Sequence, residues 1–161
     1  MIYKIIGSLA VLVSAAMLAA RTSSAMREGV AQTEAFILLV RRVREEISCF
    51  RTPRERILAA HSSEVLLRAG IDLSGTGGDL YAALLAARPR LYIEGEAYRA
   101  LLAFSSRLGE GYAEEELARC DLCLFALDRS LEEGRLRLPR AAKLSRTLAL
   151  GSALAVIILL V

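Results

Sequence analysis

Residues 97–131, AYRALLAFSSRLGEGYAEEELARCDLCLFALDRSL, contain the two repeating patterns that decide the fold. In each pattern, apolar side chains recur every three or four residues, which places them on one face of an α-helix. The first row is Ala97, Leu101, Phe104 and Leu108, and the second is Leu117, Cys120, Leu124, Leu127 and Leu131. Only the short, glycine-containing segment 109–112 separates the rows, so the two helices should pack antiparallel as a hairpin. We therefore expect an all-α fold, a small antiparallel helical bundle.

Two further helices should precede this hairpin. One has the apolar row Phe36, Val40, Val43, Ile47 and Phe50 and continues from the N-terminal segment. Its end is marked by a helix-turn cap, in which Thr52 caps a new helix, Pro53 suits its first turn and Glu55 completes a capping box. The new helix carries Ile57, Leu58, His61, Val65 and Leu66. It should end at Gly70, because glycine favours the left-handed conformation that closes many helices.

The segment 72–78, DLSGTGG, is the one stretch with the composition of a flexible connection. Its glycines at 75, 77 and 78 could suggest a phosphate-binding loop, but the Gly-Lys-Ser/Thr ending is missing and no predicted strand precedes it. We interpret it as a linker. A short helix should follow it, with Leu80, Ala83, Leu84 and Ala87 on one face, and should end before Pro89.

Both ends of the sequence are apolar. Residues 5–20, IIGSLAVLVSAAMLAA, and 147–161, TLALGSALAVIILLV, contain no charged side chain. As helices they span only about 24 Å and about 22 Å, which is short for a bilayer. The flanking Lys4, Arg21, Lys143 and Arg146 can extend the spans, because long side chains keep their charges at the interface. We expect an N-terminal transmembrane helix at 1–21, a cytoplasmic helical bundle at 22–140 and a C-terminal transmembrane helix at 141–161.

The first apolar segment has an alternative interpretation as a cleavable secretory signal, since a basic start, a short apolar run and small residues at 23–25 also describe one. The distribution of basic residues favours a retained span and a cytoplasmic centre. Five of them precede the second apolar segment, at Arg135, Arg137, Arg140, Lys143 and Arg146. Three cysteines, an odd number, suit a reducing compartment, so we expect free thiols.

Cys120 and Cys123 have the spacing of a metal-binding or redox pair. A structural zinc site needs four ligands, and only Cys49 and His61 could complete this one. Because Cys120 lies on an apolar row, we interpret it as a small buried side chain. A thiol or zinc enzyme stays an alternative. No residue pattern selects a nucleophile for the single histidine, so we expect no enzymatic activity, no cofactor and no small-molecule substrate.

The charged residues indicate protein partners. The net charge of +3 is modest and arginines alternate with acids, which argues against nucleic acid as a partner. A helical domain fixed to a membrane at both ends can offer its surface, and the acidic residues of that surface are the candidate contacts. They are Glu45, Glu46, Glu114, Glu115 and Glu116. The alternative for each of them is a solvated helix face without a partner.

Three motifs in the sequence resemble those of the stage III sporulation protein AB family. The first is Glu46-Ile47 followed by Thr52-Pro53, and the second is Leu108-Gly109 before the last long helix. The third is KLSRTL at 143–148, which runs into a terminal apolar segment. Length, element order and both apolar ends agree as well, so the resemblance covers essentially the whole chain. The chain departs from the family at 49, 50 and 54, where an aromatic residue, a glycine and a leucine are usual.

The resemblance implies a protein of endospore-forming bacteria whose cytoplasmic domain is similar to the helical domain of the type II secretion inner-membrane platform protein. It implies a non-enzymatic scaffold or adaptor of the stage III channel complex, in the mother-cell membrane around the forespore. There the protein would couple a secretion-type ATPase, one of the other stage III sporulation proteins, to membrane components. The alternative is a platform component of a pilus or type II-like secretion system outside sporulation.

Overall fold

The computed structural model describes residues 2–49, 58, 63–73 and 79–160, with the side chains of 13, 14, 17, 20–48 and 113–139 in the two long helices. The elements are helices α1 (Ile2–Cys49), α2 (Glu64–Arg68), α3 (Leu80–Ala87), α4 (Gly95–Ser106) and α5 (Ala113–Leu160). A 3-10 turn at Arg88–Arg90 follows α3. The described residues include no β-strand, and the expectation of an all-α fold is confirmed.

The chain divides into two compact units. One consists of Glu28–Glu133, and the other combines Met1–Arg27 with Gly134–Val161. In the described part of the chain, no helix is both long enough and apolar enough to cross a membrane. The apolar stretches 5–20 and 147–160 run within α1 and α5, and most of their side chains lie outside the described ones.

The core of the unit Glu28–Glu133 contains the rows that the sequence predicts. Ala97, Leu101, Phe104 and Leu108 are all buried, and they share one cluster with Cys120 and Leu127 of the second row. The remaining leucines of that row are partly buried. From α1, the cluster receives Phe36, Val40 and Val43, with Ile47 packed against it. Burial of these rows stabilises the fold by roughly 25 cal/mol for each Å² of apolar surface removed from water.

Helices α1 and α5 run antiparallel in this unit, and two ion pairs across them show the alignment. Arg44 Nε donates to Asp121 Oδ1 at 2.7 Å, and Arg41 lies 3.6 Å from Asp128. The residue number rises along α1 as it falls along α5, which defines the antiparallel direction.

Helix α2 ends at Arg68 and is closed by Gly70, the glycine that the sequence predicts for this role. This glycine has a φ of +89°, and its N–H donates to the carbonyl of Leu67. The N–H of Ile71 donates to the carbonyl of Leu66, which completes a Schellman motif. Ile71 and Leu66 are both buried, and they provide the hydrophobic contact that usually accompanies this motif.

Helix α3 is confirmed with the predicted buried face of Leu80, Ala83, Leu84 and Ala87. Asp79 caps its first turn by accepting a hydrogen bond of 3.0 Å from the N–H of Ala82. Its C-terminal half is attached to α4, because the hydroxyl of Tyr98 donates to the carbonyl of Leu84 at 3.2 Å. The guanidinium of Arg88 also stacks 4.3 Å above the Tyr98 ring.

The segment after α3 is held on α1 by one buried glutamine. Gln32 Nε2 donates to the carbonyl of Arg90 at 3.1 Å, and Gln32 Oε1 accepts from the N–H of Tyr92 at 2.8 Å. One turn earlier on α1, a Cβ added to Gly29 would overlap the carbonyl of Tyr92. The backbone at Tyr92 therefore lies so close to the backbone of α1 that only glycine leaves enough space at position 29.

Several sequence predictions fall outside the described residues. These are the cap formed by Thr52, Pro53 and Glu55, the last apolar residue of the α1 row at 50, the histidine at 61 and the glycine-rich run at 75–78.

Candidate partner surface

Three of the five candidate acidic contacts are exposed. Glu45 is exposed on α1, and Glu114 and Glu115 are exposed in the first turn of α5. The antiparallel alignment places them toward the same end of the α1–α5 pair. Glu45 is next to Arg44, and Arg44 is bonded to Asp121 on α5. Asp121 lies only about two turns after Glu114. We call these three residues the acidic end.

Glu46 contributes less to this surface than the sequence suggests. Its carboxylate lies 2.8 Å from Arg42 NH2, one turn earlier on α1, and its side chain is only 15% exposed. The pair leaves Glu46 with little surface to offer a partner.

Glu116 is buried, which corrects its place among the exposed candidate contacts. Its residue exposure is 4%, and its Oε1 accepts hydrogen bonds from the N–H groups of Gly109 at 3.1 Å and Gly111 at 3.2 Å. The physical reason is the turn between α4 and α5, whose backbone N–H groups point inward and need an acceptor. The other oxygen, Oε2, is buried and has no hydrogen-bond partner among the described residues.

Arg119 connects this buried carboxylate to the acidic end. Its NH1 lies 3.2 Å from Glu116 Oε1 and donates to the carbonyl of Arg107 at 2.7 Å. Its NH2 lies 3.3 Å from Glu115 Oε2. One guanidinium thus joins the end of α4 to the first two turns of α5. The two residues of the acidic end on α5, Glu114 and Glu115, therefore follow a turn that is held by hydrogen bonds.

The four residues expected to flank the membrane are placed as follows. Arg21 is exposed on α1. Lys4 lies on α1, and Lys143 and Arg146 lie on α5, with side chains outside the described ones.

Cys120 and Cys123 are buried and free, which confirms the expected packing role of Cys120. Burial raises the pKa of Cys120 to about 11, with the nearby charges of Glu116 and Asp121 acting in the same direction. Burial likewise raises the pKa of Cys123 to about 12. A thiol with so high a pKa is almost entirely protonated near neutral pH and is a poor nucleophile or metal ligand.

A metal centre has no support from the described residues, which bring together no group of three or more histidine, cysteine, aspartate or glutamate side chains. Cys49 and His61, the ligands that a zinc site would have to recruit, have side chains outside the described ones.

One exposed feature of α5 was not predicted from the sequence. Leu122 and Phe125 on α5 are each 71% exposed, opposite the buried row of the same helix. The signal was available in the spacing, because Ala118, Leu122 and Phe125 form a second row at intervals of four and three residues.

Among curated proteins and among solved structures, none matches this chain. A family model does match it: the model of stage III sporulation protein AB aligns with residues 4–161. The aligned part includes both apolar ends, the helical bundle and the turn closed by Glu116. This protein therefore belongs to the stage III sporulation protein AB family.

Proposed function

We propose that this protein is a non-enzymatic membrane scaffold of the sporulation stage III channel complex, where it couples a cytoplasmic secretion-type ATPase to membrane components. The observation that carries the proposal is the family match over residues 4–161, which includes the bundle together with both apolar ends. A role in stage III of sporulation follows from the family itself.

The proposed arrangement in the membrane has two spans and a cytoplasmic bundle, in the mother-cell membrane that surrounds the forespore. Its support is the absence of charge from 5–20 and 147–161 and the basic residues between 135 and 146. The grouping of Met1–Arg27 with Gly134–Val161 in one compact unit fits two spans that pair with each other. Small residues in both stretches, such as Gly7 and Gly151, suit close packing of helices in lipid.

We place the ATPase contact at the acidic end. Glu45, Glu114 and Glu115 present three carboxylates on two helices that share one buried core, with the Arg44–Asp121 pair across them. A rigid acidic surface fits a partner that presents arginine or lysine side chains, because complementary charge steers association and selects the partner. Buried, high-pKa thiols fit a scaffold better than a thiol enzyme.

Cysteine labelling tests the topology. In vegetative cells that express the chain with Cys49→Ser, one variant carries Tyr112→Cys, at a position 85% exposed in the turn before α5, and another carries a cysteine added after Val161. With an impermeant maleimide, the added cysteine should react in intact cells and the Tyr112→Cys variant only after permeabilisation. The parent chain gives the background, since Cys120 and Cys123 are buried. Labelling of the Tyr112→Cys variant in intact cells would contradict the proposed orientation of the bundle.

Charge substitution tests the partner surface. Glu45→Lys combined with Glu114→Gln and Glu115→Gln should lower co-purification of the ATPase at least about tenfold, which corresponds to a loss of about 1.4 kcal/mol. Glutamine is chosen for α5 because a lysine in the first turn would also oppose the helix dipole. The matched control is Glu132→Lys, an exposed acid in the interior of α5, away from its first turn. Equal ATPase recovery from all these proteins would exclude the acidic end as the contact.

A further inference from the structure

Acidic and basic side chains are divided unequally between the two compact units of the chain. All 18 acidic side chains lie in the unit Glu28–Glu133, which also has 13 basic ones and therefore a net charge of −5. The unit that combines Met1–Arg27 with Gly134–Val161 has eight basic side chains and no acidic one, a side-chain charge of +8. The modest net charge of +3 is thus the sum of two units with opposite charge.

Seven of these eight basic residues lie beside the two apolar stretches, after 5–20 on α1 and before 147–161 on α5. We call them the basic collar: Arg21, Arg27, Arg135, Arg137, Arg140, Lys143 and Arg146. The four collar side chains that the structure describes, at 21, 27, 135 and 137, are all exposed. The sequence of this unit provides no acidic side chain that could neutralise the collar from within.

The collar has matching positions on the two helices. Arg21 directly follows the apolar stretch of α1, and Arg146 directly precedes that of α5. Arg27 and Arg140 each lie six residues farther from these stretches, which is about 9 Å along a helix. In the proposed arrangement of two spans, two basic residues therefore lie at the edge of the hydrocarbon core and two more lie about 9 Å outside it, with Lys143 in between.

These depths fit the phosphate groups of phospholipids. The headgroup layer outside the hydrocarbon core is about 5–7 Å thick on each side of a bilayer. A charged surface acts over about 8 Å more at physiological ionic strength. Clusters of about four to eight lysine and arginine residues at the cytoplasmic end of a span are typical of binding to anionic lipids. The collar, with seven, has the composition and the position of such a cluster.

We propose that the basic collar binds the headgroups of anionic phospholipids in the cytoplasmic leaflet. Its guanidinium and ammonium groups donate charge-assisted hydrogen bonds to lipid phosphate oxygens. The unit Glu28–Glu133 has a net negative charge, so an anionic surface attracts only the unit that contains the collar. This inference rests on the membrane arrangement proposed above and adds to it a preference for one class of lipid.

Nucleic acid also presents phosphate groups, but it fits the collar less well. Surfaces that bind single-stranded nucleic acid combine basic side chains with aromatic ones, on which the bases stack. The segments 21–27 and 134–146, which contain the whole collar, have no aromatic residue. Both segments also adjoin an uncharged apolar stretch, which is the position of a lipid headgroup.

Spin-labelled lipids measure the preference directly. The full-length chain is reconstituted in phosphatidylcholine vesicles that contain a trace of spin-labelled phosphatidylglycerol, which is anionic, or of spin-labelled phosphatidylcholine, which is zwitterionic. Lipids that contact the protein give a motionally restricted signal in electron paramagnetic resonance. We expect the chain to associate with phosphatidylglycerol about fivefold more strongly than with phosphatidylcholine. Sodium chloride at about 1 M should lower this ratio, because it shortens the screening length to about 3 Å.

Neutralisation of three collar residues tests where the preference arises. One chain carries Arg137→Gln, Arg140→Gln and Lys143→Gln, and its ratio should fall by at least about half, because close to half of the collar charge is removed. Arg21 and Arg146 stay in place, so the charges at the edges of both apolar stretches are unchanged. The restricted signal of phosphatidylcholine checks that this variant still enters the bilayer.

The matched control removes three exposed arginines from the other unit. Arg68→Gln, Arg99→Gln and Arg107→Gln change the net charge by the same amount, and the ratio of this chain should equal that of wild type. Sodium phosphate and sodium chloride at equal ionic strength should lower the wild-type ratio equally, because the collar binds lipid headgroups and not free phosphate. A larger fall in phosphate would overturn the assignment to lipid.

Two failures can be told apart. A wild-type chain that restricts both lipids equally would overturn the lipid preference and leave the membrane arrangement in place, since any restricted signal requires a chain in the bilayer. A chain that restricts neither lipid would contradict the membrane arrangement and the collar together. The lipid preference is also wrong if the collar variant keeps the wild-type ratio, or if the control loses as much as the collar variant does.

Discussion

Glu116 Oε1 accepts a hydrogen bond of 3.1 Å from the backbone N–H of Gly109, seven residues earlier in the chain. The same oxygen accepts from Gly111, so one carboxylate supplies the acceptor for a turn that has few backbone partners of its own. Gly109 has a φ of +86°, which a side chain would disfavour. The turn between α4 and α5 therefore depends on a glycine for its conformation and on a buried glutamate for its hydrogen bonds.

Removing this carboxylate should loosen the turn. We expect Glu116→Ala to lower the free energy of unfolding by about 2–3 kcal/mol, because two partly buried N–H groups lose their acceptor and Arg119 keeps only Glu115 as a counter-charge. The local measurement is hydrogen exchange of the peptide that covers 107–112, which should become faster. Glu116→Gln keeps one carbonyl acceptor and should show a smaller effect on exchange. Protection equal to wild type in Glu116→Ala would mean that the turn is held by other contacts.

Replacing Gln32 tests how the segment after α3 is attached. Gln32→Leu is close in size to glutamine but removes the acceptor for Tyr92 N–H and the donor for the Arg90 carbonyl. Both backbone groups lie partly buried, so we expect a loss of stability of about 2–4 kcal/mol, since each unsatisfied group costs about 1–3 kcal/mol. Urea unfolding of the full-length chain in detergent measures the change. An unchanged midpoint would show that water replaces the glutamine without cost.

Two glycines offer a matched comparison. Gly29→Ala should destabilise the fold by about 1–3 kcal/mol, because the new methyl group overlaps the carbonyl of Tyr92 and the chain must move away from α1. Gly95→Ala should stabilise it by about 0.5–1 kcal/mol, since a Cβ there meets no other atom of the described chain within 4 Å and alanine is the better helix former. The two unfolding midpoints should shift in opposite directions. Shifts of the same sign would contradict the close approach at Gly29.

Periodicity was enough to predict most of the helical core. The rows from Phe36 to Val43 and from Ala97 to Leu108 are buried, as predicted. In both segments the apolar side chains repeat at helical spacing, and no alternating pattern of a β-strand competes with it. The role of Gly70 was also predictable, because a glycine that follows an apolar row commonly adopts the left-handed conformation that closes a helix.

Side chains that serve distant backbone groups were not predictable. Glu116 sits in a run of three glutamates, and nothing in that run distinguishes the one that turns inward to Gly109 and Gly111. Gln32 bonds a segment about sixty residues away, so its role depends on where the chain returns to α1 and not on local spacing. The sequence predicts that acids such as Glu45 are exposed to solvent, but it does not identify the partners that they contact.

The two thiols of α5 give a prediction for alkaline pH. Cys120 and Cys123 have pKa values raised by burial to about 11 and about 12, against 9.0 for an unburied thiol. Above pH 9 the unfolded chain loses these protons while the folded chain keeps them, so the unfolded state is favoured and the free energy of unfolding falls as pH rises toward 11. Below pH 9 both states are protonated, and the two cysteines should add no pH dependence.

Urea unfolding at pH 7 and pH 10 measures this effect in a Cys49→Ser background. Tyrosine and lysine also titrate in this range, so the quantity of interest is the difference between that chain and the same chain with Cys120→Ala and Cys123→Ala. The cysteine-containing chain should lose more stability between the two pH values. At pH 7, iodoacetamide should modify both thiols only once urea unfolds the bundle, because a buried, protonated thiol is both inaccessible and unreactive. Rapid alkylation of either cysteine in the folded chain would show that α5 opens on the time scale of the reaction and that its core row is less tightly packed than the structure indicates.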